Sequence, residues 1–236
     1  MALDSATGSG MESILTRQKS ANLRDGIPSA AKRIEWIDKA IDLLITHGDA
    51  FNDAMCEDFG HRSKDQSGFT DIVSSIAALK FAKKHLHKWM QPEKRKVEFP
   101  LGLLGSKAQL QFQPKGVIGV ISPWNFPVNL TFTPLAGVFA AGNRCMIKPS
   151  EFTEATSELM KTVIAQYYDE EEVSVITGGP EVGAEFTKLP FDHILFTGAT
   201  SVAKHVMRAA ADNLVPLTLE LGGKSPVIVG RSADMQ

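Results

Sequence analysis

The sequence is poor in cysteine, in net charge and in long apolar runs. Its 236 residues contain two cysteines and carry a formal net charge of −2 at pH 7. Two cysteines cannot build a disulfide framework, and this favours a reducing compartment. A nearly neutral chain has no overall basic field that would attract nucleic acid or an anionic membrane. No apolar run approaches the roughly 20 residues that a membrane-spanning helix needs.

The first ten residues, MALDSATGSG, lack the basic start and the apolar centre of a secretory signal. We therefore expect a cytoplasmic protein with no nucleic-acid or membrane partner. These ten residues are small and polar, and we expect them to be mobile. A basic stretch at residues 80–88 leaves a nucleic-acid patch open as an alternative, but cations are also favourable near the end of a helix. Its two histidines are two positions apart, which is not a metal-ligand spacing on a helix, so no metal is expected.

What is present begins with a strand–helix–strand unit. The β-branched run at residues 117–121 predicts a buried strand. Residues 127–141 predict a helix that starts near a proline and ends at Gly142. A second buried strand is predicted at residues 144–148. A crossover of this length is typical of two parallel strands.

Further strands are predicted downstream, alternating with helices, at residues 173–177, 193–197 and 217–221, and a short last segment follows at 226–229. This alternation predicts an α/β fold with a doubly wound parallel sheet, which is a Rossmann-like arrangement.

The first 96 residues predict a helical layer of different character. Apolar residues at helical spacing indicate a helix over residues 28–46 that Gly48 interrupts, and a second helix that ends near Gly60. A long amphipathic helix follows over residues 65–90, with Phe69 and Phe81 among its apolar positions. Residues 97–114 alternate apolar and glutamine side chains in their second half, which predicts a half-exposed strand that needs a pairing partner or a cover from its own chain.

Four short motifs occur in a fixed order: PWNFP at 123–127, KPSE at 148–151, FTGAT at 196–200 and ELGGKSP at 220–226. With these motifs the chain resembles the aldehyde dehydrogenase superfamily, and within it the branch of the class 3 and coniferyl aldehyde dehydrogenases. The resemblance is sharp over residues 115–229 and looser before them. It implies three parts, which are an N-terminal helical layer (1–96), a protruding hairpin that joins a partner subunit in a homodimer or homo-oligomer (97–114), and a Rossmann-like NAD-binding core (115–236).

The resemblance also implies where the cofactor binds. The usual G-x-G-x-x-G fingerprint is absent. The pyrophosphate is instead expected at the turn after the fourth predicted strand of the core, where free N–H groups begin a helix. Many family members carry serine where this chain has alanine. A carboxylate on the ribose favours NAD over NADP, although NADP is possible. The implied cofactor-binding residues are Trp124, Lys148, Glu151, Gly179, Gly198, Ala199 and Thr200.

Two catalytic residues are implied in the same way. Asn125 matches the side-chain amide that stabilises the oxyanion formed from the aldehyde, and Glu220 matches the general base for the deacylating water. From spacing alone, Asn125 is also an ordinary turn residue, Glu151 a helix-start acid, Gly179 a turn glycine and Glu220 a solvated loop acid.

The nucleophile that such a reaction needs is not evident. No cysteine follows Glu220, Cys145 lies inside a predicted strand, and Cys56 lies on an N-terminal helix. We therefore expect the cofactor-binding part of an NAD-dependent aldehyde dehydrogenase, with coniferyl aldehyde as one possible substrate and no turnover by these residues alone. The alternative is a catalytically inactive fragment, or a binding or assembly module derived from such an enzyme.

Overall fold

The computed structural model describes residues 5–234, which fold into a five-stranded sheet covered by helices and a separate two-stranded hairpin. The helices are α1 (Ser5–Asp25), α2 (Ala30–Phe59), α3 (Lys64–Ser67), α4 (Ser74–Trp89), α5 (Asn129–Ala140), α6 (Glu154–Tyr167), α7 (Pro180–Thr187) and α8 (Thr200–Ala211). A π-helical turn, Gly68–Val73, joins α3 to α4, and a 3₁₀ turn covers Leu101–Leu104. The strands are β1 (Glu93–Arg95), β2 (Ala108–Leu110), β3 (Val117–Ile121), β4 (Arg144–Lys148), β5 (Val173–Val175), β6 (His193–Thr197) and β7 (Leu217–Glu220).

The large sheet has the order β5-β4-β3-β6-β7 and every neighbouring pair is parallel. Successive residues of a strand face opposite sides, so each side supplies its own core. Ile118 and Val120 belong to the core that includes α2, α4, α5 and α6, whereas Val117 and Met146 belong to the core that includes α1, α7 and α8. Helices on both faces of a parallel sheet confirm the predicted doubly wound α/β fold. The short last segment at 226–229 is exposed and adds no strand to the sheet.

The crossover from β3 to β4 closes as the sequence predicts. Gly142 adopts a left-handed φ of +80° just after α5, and its N–H donates to the Phe139 carbonyl at 2.9 Å. The next N–H, that of Asn143, donates to the Val138 carbonyl at 3.0 Å. This pair of bonds is a Schellman motif, which turns the chain directly into β4. The start of α5 lies later than predicted, because Pro127 belongs to the turn before it.

The N-terminal layer differs from its prediction at two points. Gly48 does not interrupt a helix, because α2 runs through it without a break to a left-handed Gly60. A Cβ at Gly48 would lie 3.5 Å from Ile72, an ordinary van der Waals distance, so no close approach at this position demands glycine. Residues 5–10 of the segment expected to be mobile form the start of α1, while residues 1–4 lie outside the described part of the chain.

Helix α1 is held by one buried polar side chain. Gln18 is fully buried and donates to the carbonyls of Cys145 at 3.0 Å and Glu170 at 2.8 Å. The side chain thus ties α1 to the start of β4 and to the loop before β5. Met11, Leu15 and Ala21 of α1 are also buried, so apolar packing and this contact together hold the helix against the sheet.

The long amphipathic helix forms, but part of its apolar set faces outward. Phe69, Val73 and Phe81 are all more than half exposed, while Ile72 and Leu79 are buried. The hairpin is likewise more exposed than predicted: β1 and β2 pair with each other, and every residue in both strands is exposed. It starts at Glu93, four residues before the predicted boundary of 97.

Two carboxylates of the N-terminal layer, Asp58 and Asp71, cap helices of the sheet region. The N-cap residues of α5 and α6, Val128 and Thr153, make no side-chain capping bond of their own. Asp58, at the end of α2, accepts from the N–H groups of Ala155 and Thr156, both at 2.9 Å. Because the N–H groups of a first helical turn have no partner within the helix, this contact fastens the helical layer to the core.

Removing this cap tests how firmly the layer is attached. Asp58→Ala is expected to lower the free energy of unfolding by about 1–2 kcal/mol, which is the usual cost of losing an N-cap. Urea denaturation followed by circular dichroism measures the change. Asp42→Ala on the exposed face of the same helix should change it by less than about 0.5 kcal/mol. Equal effects of the two substitutions would show that the cap contributes nothing specific.

Candidate functional site

The residues singled out by the four motifs follow the carboxyl ends of the strands. In an open parallel sheet, ligands bind in the crevice outside those ends, where the strand order reverses direction. Here that point lies between β3 and β6, since the chain moves from β3 outward to β5 and then returns to β6. Trp124 and Asn125 follow β3, Gly198 follows β6, and Glu220 ends β7. The topology therefore brings all four to one edge of the sheet.

The turn between β6 and α8 has the features of an anion site. Ala199 is the N-cap of α8 and offers no side-chain oxygen to its N–H groups. These groups, with the positive end of the helix dipole, are suited to a phosphate. Gly198 donates its N–H to the Glu220 carbonyl at 3.0 Å, which fixes the turn against β7. A Cβ at Gly198 would lie 2.7 Å from the Phe196 ring, so the turn needs glycine for space.

A second group lies beyond β4 and β5. Lys148 ends β4 and is 3% exposed. Its Nζ donates to the Pro149 carbonyl at 2.7 Å and lies 3.7 Å from the Glu151 carboxylate. Burial lowers the pKa of Lys148, and the charge of Glu151 opposes that change. A buried ammonium beside an accessible carboxylate provides a donor and an acceptor at one point, which suits a diol.

Glu151 borders an open cleft of about 280 Å³. The cleft lies between the start of α6 and the turn after β5, and Thr177, Gly178 and Gly179 line its far side. Gly179 is the N-cap of α7, and a Cβ there would meet the Glu181 carboxylate at 2.5 Å. Because Glu181 is exposed, that contact can relax, so glycine keeps the cleft wall flat.

The loop after β3 carries Trp124 and Asn125, both exposed. The Trp124 ring lies 6.2 Å from the ring of Phe59, at the end of α2. The Asn125 carbonyl accepts from Arg62 Nη1 at 2.6 Å. Arg62 also lies with Phe59 and Phe126 beside an open recess of about 380 Å³ next to Asn125. The loop is therefore supported by the N-terminal layer as well as by the sheet.

Glu220 lies at the last position of the edge strand β7, opposite Thr197 of β6. Its side chain is exposed, so the described residues provide no apolar enclosure for it. The two cysteines are remote from this chemistry. Cys145 is buried inside β4, where burial raises the pKa of its thiol, and Cys56 is half-buried on α2. Within residues 5–234, no group of three or more His, Cys, Asp or Glu side chains is arranged to hold a metal ion.

Arg62 and Asp71 are parts of this site that the sequence did not indicate. Both come from a polar stretch of the N-terminal layer, more than 50 residues before Asn125. A single sequence offers no spacing rule that connects a carboxylate in one helix with the start of another so far along the chain. Only the fold brings them together.

Comparisons with known proteins identify the family of this chain. Residues 18–236 match the aldehyde dehydrogenase family. The chain is 65% identical over 226 residues to a probable coniferyl aldehyde dehydrogenase of Caulobacter vibrioides, which covers 95% of this chain and 47% of that protein. It is 56% identical to coniferyl aldehyde dehydrogenase of a Pseudomonas species, with 94% and 46% covered. The chain thus spans about half the length of the curated relatives it matches.

Solved structures give the same result. Staphylococcus aureus AldH in a substrate-bound state has a TM-score of 0.85 and 34% identity, covering 94% of this chain and 48% of that one. Mycobacterium tuberculosis aldehyde dehydrogenase complexed with NAD⁺ has a TM-score of 0.81 and 27% identity, with 92% and 44% covered. With the motifs at one edge of the sheet, these matches show that the chain belongs to the aldehyde dehydrogenase family and corresponds to its N-terminal part.

Proposed function

We propose that this chain is the NAD-binding part of an aldehyde dehydrogenase that oxidises an aldehyde, such as coniferyl aldehyde, to the carboxylic acid. The observation that carries the proposal is the meeting of four motif segments at the switch point of the sheet. Names of the relatives support the substrate class, because two of them are coniferyl aldehyde dehydrogenases. NAD⁺ is favoured over NADP⁺ in this proposal by Glu151, which would repel the 2′-phosphate of NADP⁺.

The described residues fit a dinucleotide along this edge. The uncapped start of α8 would hold the pyrophosphate, with Trp124 beside it. Lys148 and Glu151 would hold the adenosine ribose through a donor and an acceptor. Gly179 would face the adenine in the cleft of about 280 Å³. NAD⁺ supplies the hydride acceptor when it is bound.

The chain's own catalytic groups have separate tasks in this proposal. Asn125 would donate its side-chain N–H to the aldehyde oxygen as that oxygen gains negative charge, which lowers the barrier to nucleophilic attack. Glu220 would take a proton from water that later releases the acid. The exposed position of Glu220 lets water reach the carboxylate.

Neither cysteine of this chain suits the role of nucleophile. A thiolate is the reactive form, and Cys145 is buried with a raised pKa inside a strand. Cys56 lies in α2, outside the carboxyl edge. We therefore propose that these 236 residues bind the cofactor without oxidising aldehyde. A second candidate function is a non-catalytic binding or assembly module, which the exposed hairpin with Phe99, Leu103 and Leu104 favours.

The same hairpin supports self-association as a homodimer or homo-oligomer, because two exposed strands with apolar tips bury surface when they pair with another subunit. A cytoplasmic location is proposed from the two free cysteines. None of the helices in residues 5–234 is both long and apolar enough to cross a membrane.

Cofactor binding is measured directly by titration calorimetry of the 236-residue chain with NAD⁺ and with NADP⁺. We expect saturable heat with NAD⁺ at or below millimolar concentration. Binding of NADP⁺ should be at least about tenfold weaker, since repulsion between the Glu151 carboxylate and the 2′-phosphate is expected to cost about 1.4 kcal/mol or more. Glu151→Gln should reduce that discrimination. Glu185→Gln on α7 is the matched control and should not change it. Absence of heat with millimolar NAD⁺ would argue for the assembly module.

A further inference from the structure

The loop that carries Asn125 is held at both ends by one ion pair from the N-terminal layer. Arg62 donates through Nη1 to the Asn125 carbonyl at 2.6 Å and through Nη2 to the Asp71 carboxylate at 2.7 Å. The guanidinium group is planar, so it can hold both acceptors in a fixed relation. Arg62 thereby sets the orientation of the peptide that follows Asn125.

Asp71 holds the other end of the loop. Its Oδ1 accepts from the N–H groups of Val128 at 3.2 Å and Asn129 at 3.1 Å, which begin α5. Asp71 is fully buried, and among the described residues it is the only side chain that accepts from the N–H groups at the start of α5. Burial raises the pKa of Asp71, while the two amides and Arg62 act in the opposite direction. Arg62 and the two amides therefore offset the cost of burying the Asp71 carboxylate in its charged form.

Aromatic rings pack around the Arg62–Asp71 pair, and this pair with its contacts to the loop is called the clamp below. The Arg62 guanidinium carbon lies 4.8 Å from the centre of the Phe59 ring and 5.1 Å from that of Phe126. The Phe59 ring also contacts Trp124. The side chain of Arg62 is 8% exposed between these rings, where cation–π attraction is stronger than at an open surface. Three consecutive residues of the loop, from Trp124 to Phe126, thus contact Phe59 or Arg62.

The π-helical turn places Asp71 in this position. Asp71 lies within Gly68–Val73, where one extra residue per turn rotates the side chains relative to an α-helix. The turn packs on α2 at Gly68, where a Cβ would lie 3.5 Å from Asn52, an ordinary van der Waals distance. Such turns are rare in proteins, but those that do occur are frequently found at functional sites. Nearby, Asn52 Oδ1, Ser67 Oγ and Arg62 Nε are buried without a protein partner, which suits ordered water.

We propose that Arg62 and Asp71 are positioning residues that hold Asn125 in the orientation needed to donate to the aldehyde oxygen. The role of Asn125 as donor rests on the proposed function, whereas the clamp can be tested without it. A loop between a strand and a helix would otherwise move, and an amide displaced by about 1 Å loses most of its effect on a transition state.

Hydrogen–deuterium exchange of the 236-residue chain tests the clamp. In Arg62→Met we expect the amides of the non-proline residues in 123–129, above all Val128 and Asn129, which donate to Asp71, to exchange at least about tenfold faster, because the loop opens locally. Amides of residues 36–44 in the core of α2 should keep their rates. Arg17→Met, which removes a surface arginine paired with Glu170, is the matched control and should alter neither segment.

A conservative variant distinguishes a local change in the loop from general unfolding of the chain. Arg62→Lys keeps the charge beside Asp71 but cannot hold both acceptors in one plane, so only residues 123–129 should change. Fluorotryptophan NMR provides a second readout, in which the Trp124 signal should shift while that of buried Trp36 stays. Unchanged exchange of the loop in both Arg62 variants, or equal acceleration at 123–129 and 36–44 in Arg62→Lys, would overturn the proposal. A loosened loop in a chain that shows no NAD⁺ binding would support the clamp and count only against the proposed function.

Discussion

Replacing Lys148 by methionine is expected to weaken NAD⁺ binding about 10- to 100-fold without lowering the free energy of unfolding at pH 7. Hydrogen bonds from a charged donor are worth about 1.5–3 kcal/mol, and loss of one to the ribose gives this range. Methionine retains the apolar stem of the side chain in a site that is 3% exposed. The substitution therefore removes the ammonium group while the packing at the end of β4 remains.

Stability should not fall, because the buried ammonium is costly to the folded chain. Burial is the main cause that lowers the pKa of Lys148 below its ordinary value of 10.5, and Glu151 and Glu181 only partly oppose it. Folding thus favours the neutral amine. The cost is fully present at pH 7, below both pKa values, and declines as the pH rises through the folded-state pKa toward 10.5. The stability advantage of Lys148→Met should accordingly shrink over that interval.

Two measurements check this prediction. Calorimetry gives the dissociation constant for NAD⁺, and urea denaturation between pH 7 and pH 10 gives the free energy of unfolding. Lys188→Met replaces an exposed lysine paired with Glu185 on the surface and should leave both quantities unchanged. If Lys148→Met bound NAD⁺ as tightly as the unmodified chain, Lys148 would not be a cofactor residue.

The central sheet was predictable because its signals are local. Residues 117–121 and 144–148 are short apolar runs between turn residues, and the strands lie at those positions. Gly142 ends α5 through the Schellman hydrogen bonds, which involve only residues 138–143. The edge at which ligands bind follows from the alternation of strands and helices. The placement of Trp124, Gly198 and Glu220 at that edge could therefore be predicted from the sequence as well.

Features that depend on contacts between distant segments were not predictable. Gly48 looks like a helix breaker in sequence, yet α2 continues through it, because Leu44 before it and Phe51 after it are buried in the same core. Helix α1 depends on Gln18 and the carbonyls it reaches in β4 and beyond. Asp58 and Asp71 have the composition of ordinary surface acids, and only the folded chain shows that each caps a helix about 57 to 97 residues away.

These distant contacts share one physical role. The helices after β3 and β4 begin at Val128 and Thr153, which do not cap them, and the N-terminal layer supplies the missing acceptors. The layer is therefore not only a cover for apolar surface. It fixes the starts of the two helices that border the proposed oxyanion and ribose sites, which ties the geometry of the site to the helical layer.

Cys145 is expected to react with a thiol reagent at least about 1,000-fold more slowly in the folded chain than in urea. The thiol is fully buried within β4, and burial raises its pKa, so at pH 8 very little of it is the reactive thiolate. Reaction requires opening of the central sheet, which in a stable domain costs several kcal/mol. Labelling followed by intact mass in a Cys56→Ser variant isolates this one thiol.

Cys145→Ser provides the comparison, since Cys56 is only half-buried and should be labelled readily in the folded chain. The same preparations, mixed with coniferyl aldehyde and NAD⁺, should produce no NADH above the rate without protein. The physical reason is common to both assays, because a thiol that cannot reach a small reagent cannot attack an aldehyde at the edge of the sheet. Rapid labelling of Cys145 together with NADH formation that Cys145→Ser abolishes would make Cys145 the nucleophile and reverse the assignment of this chain as a cofactor-binding part.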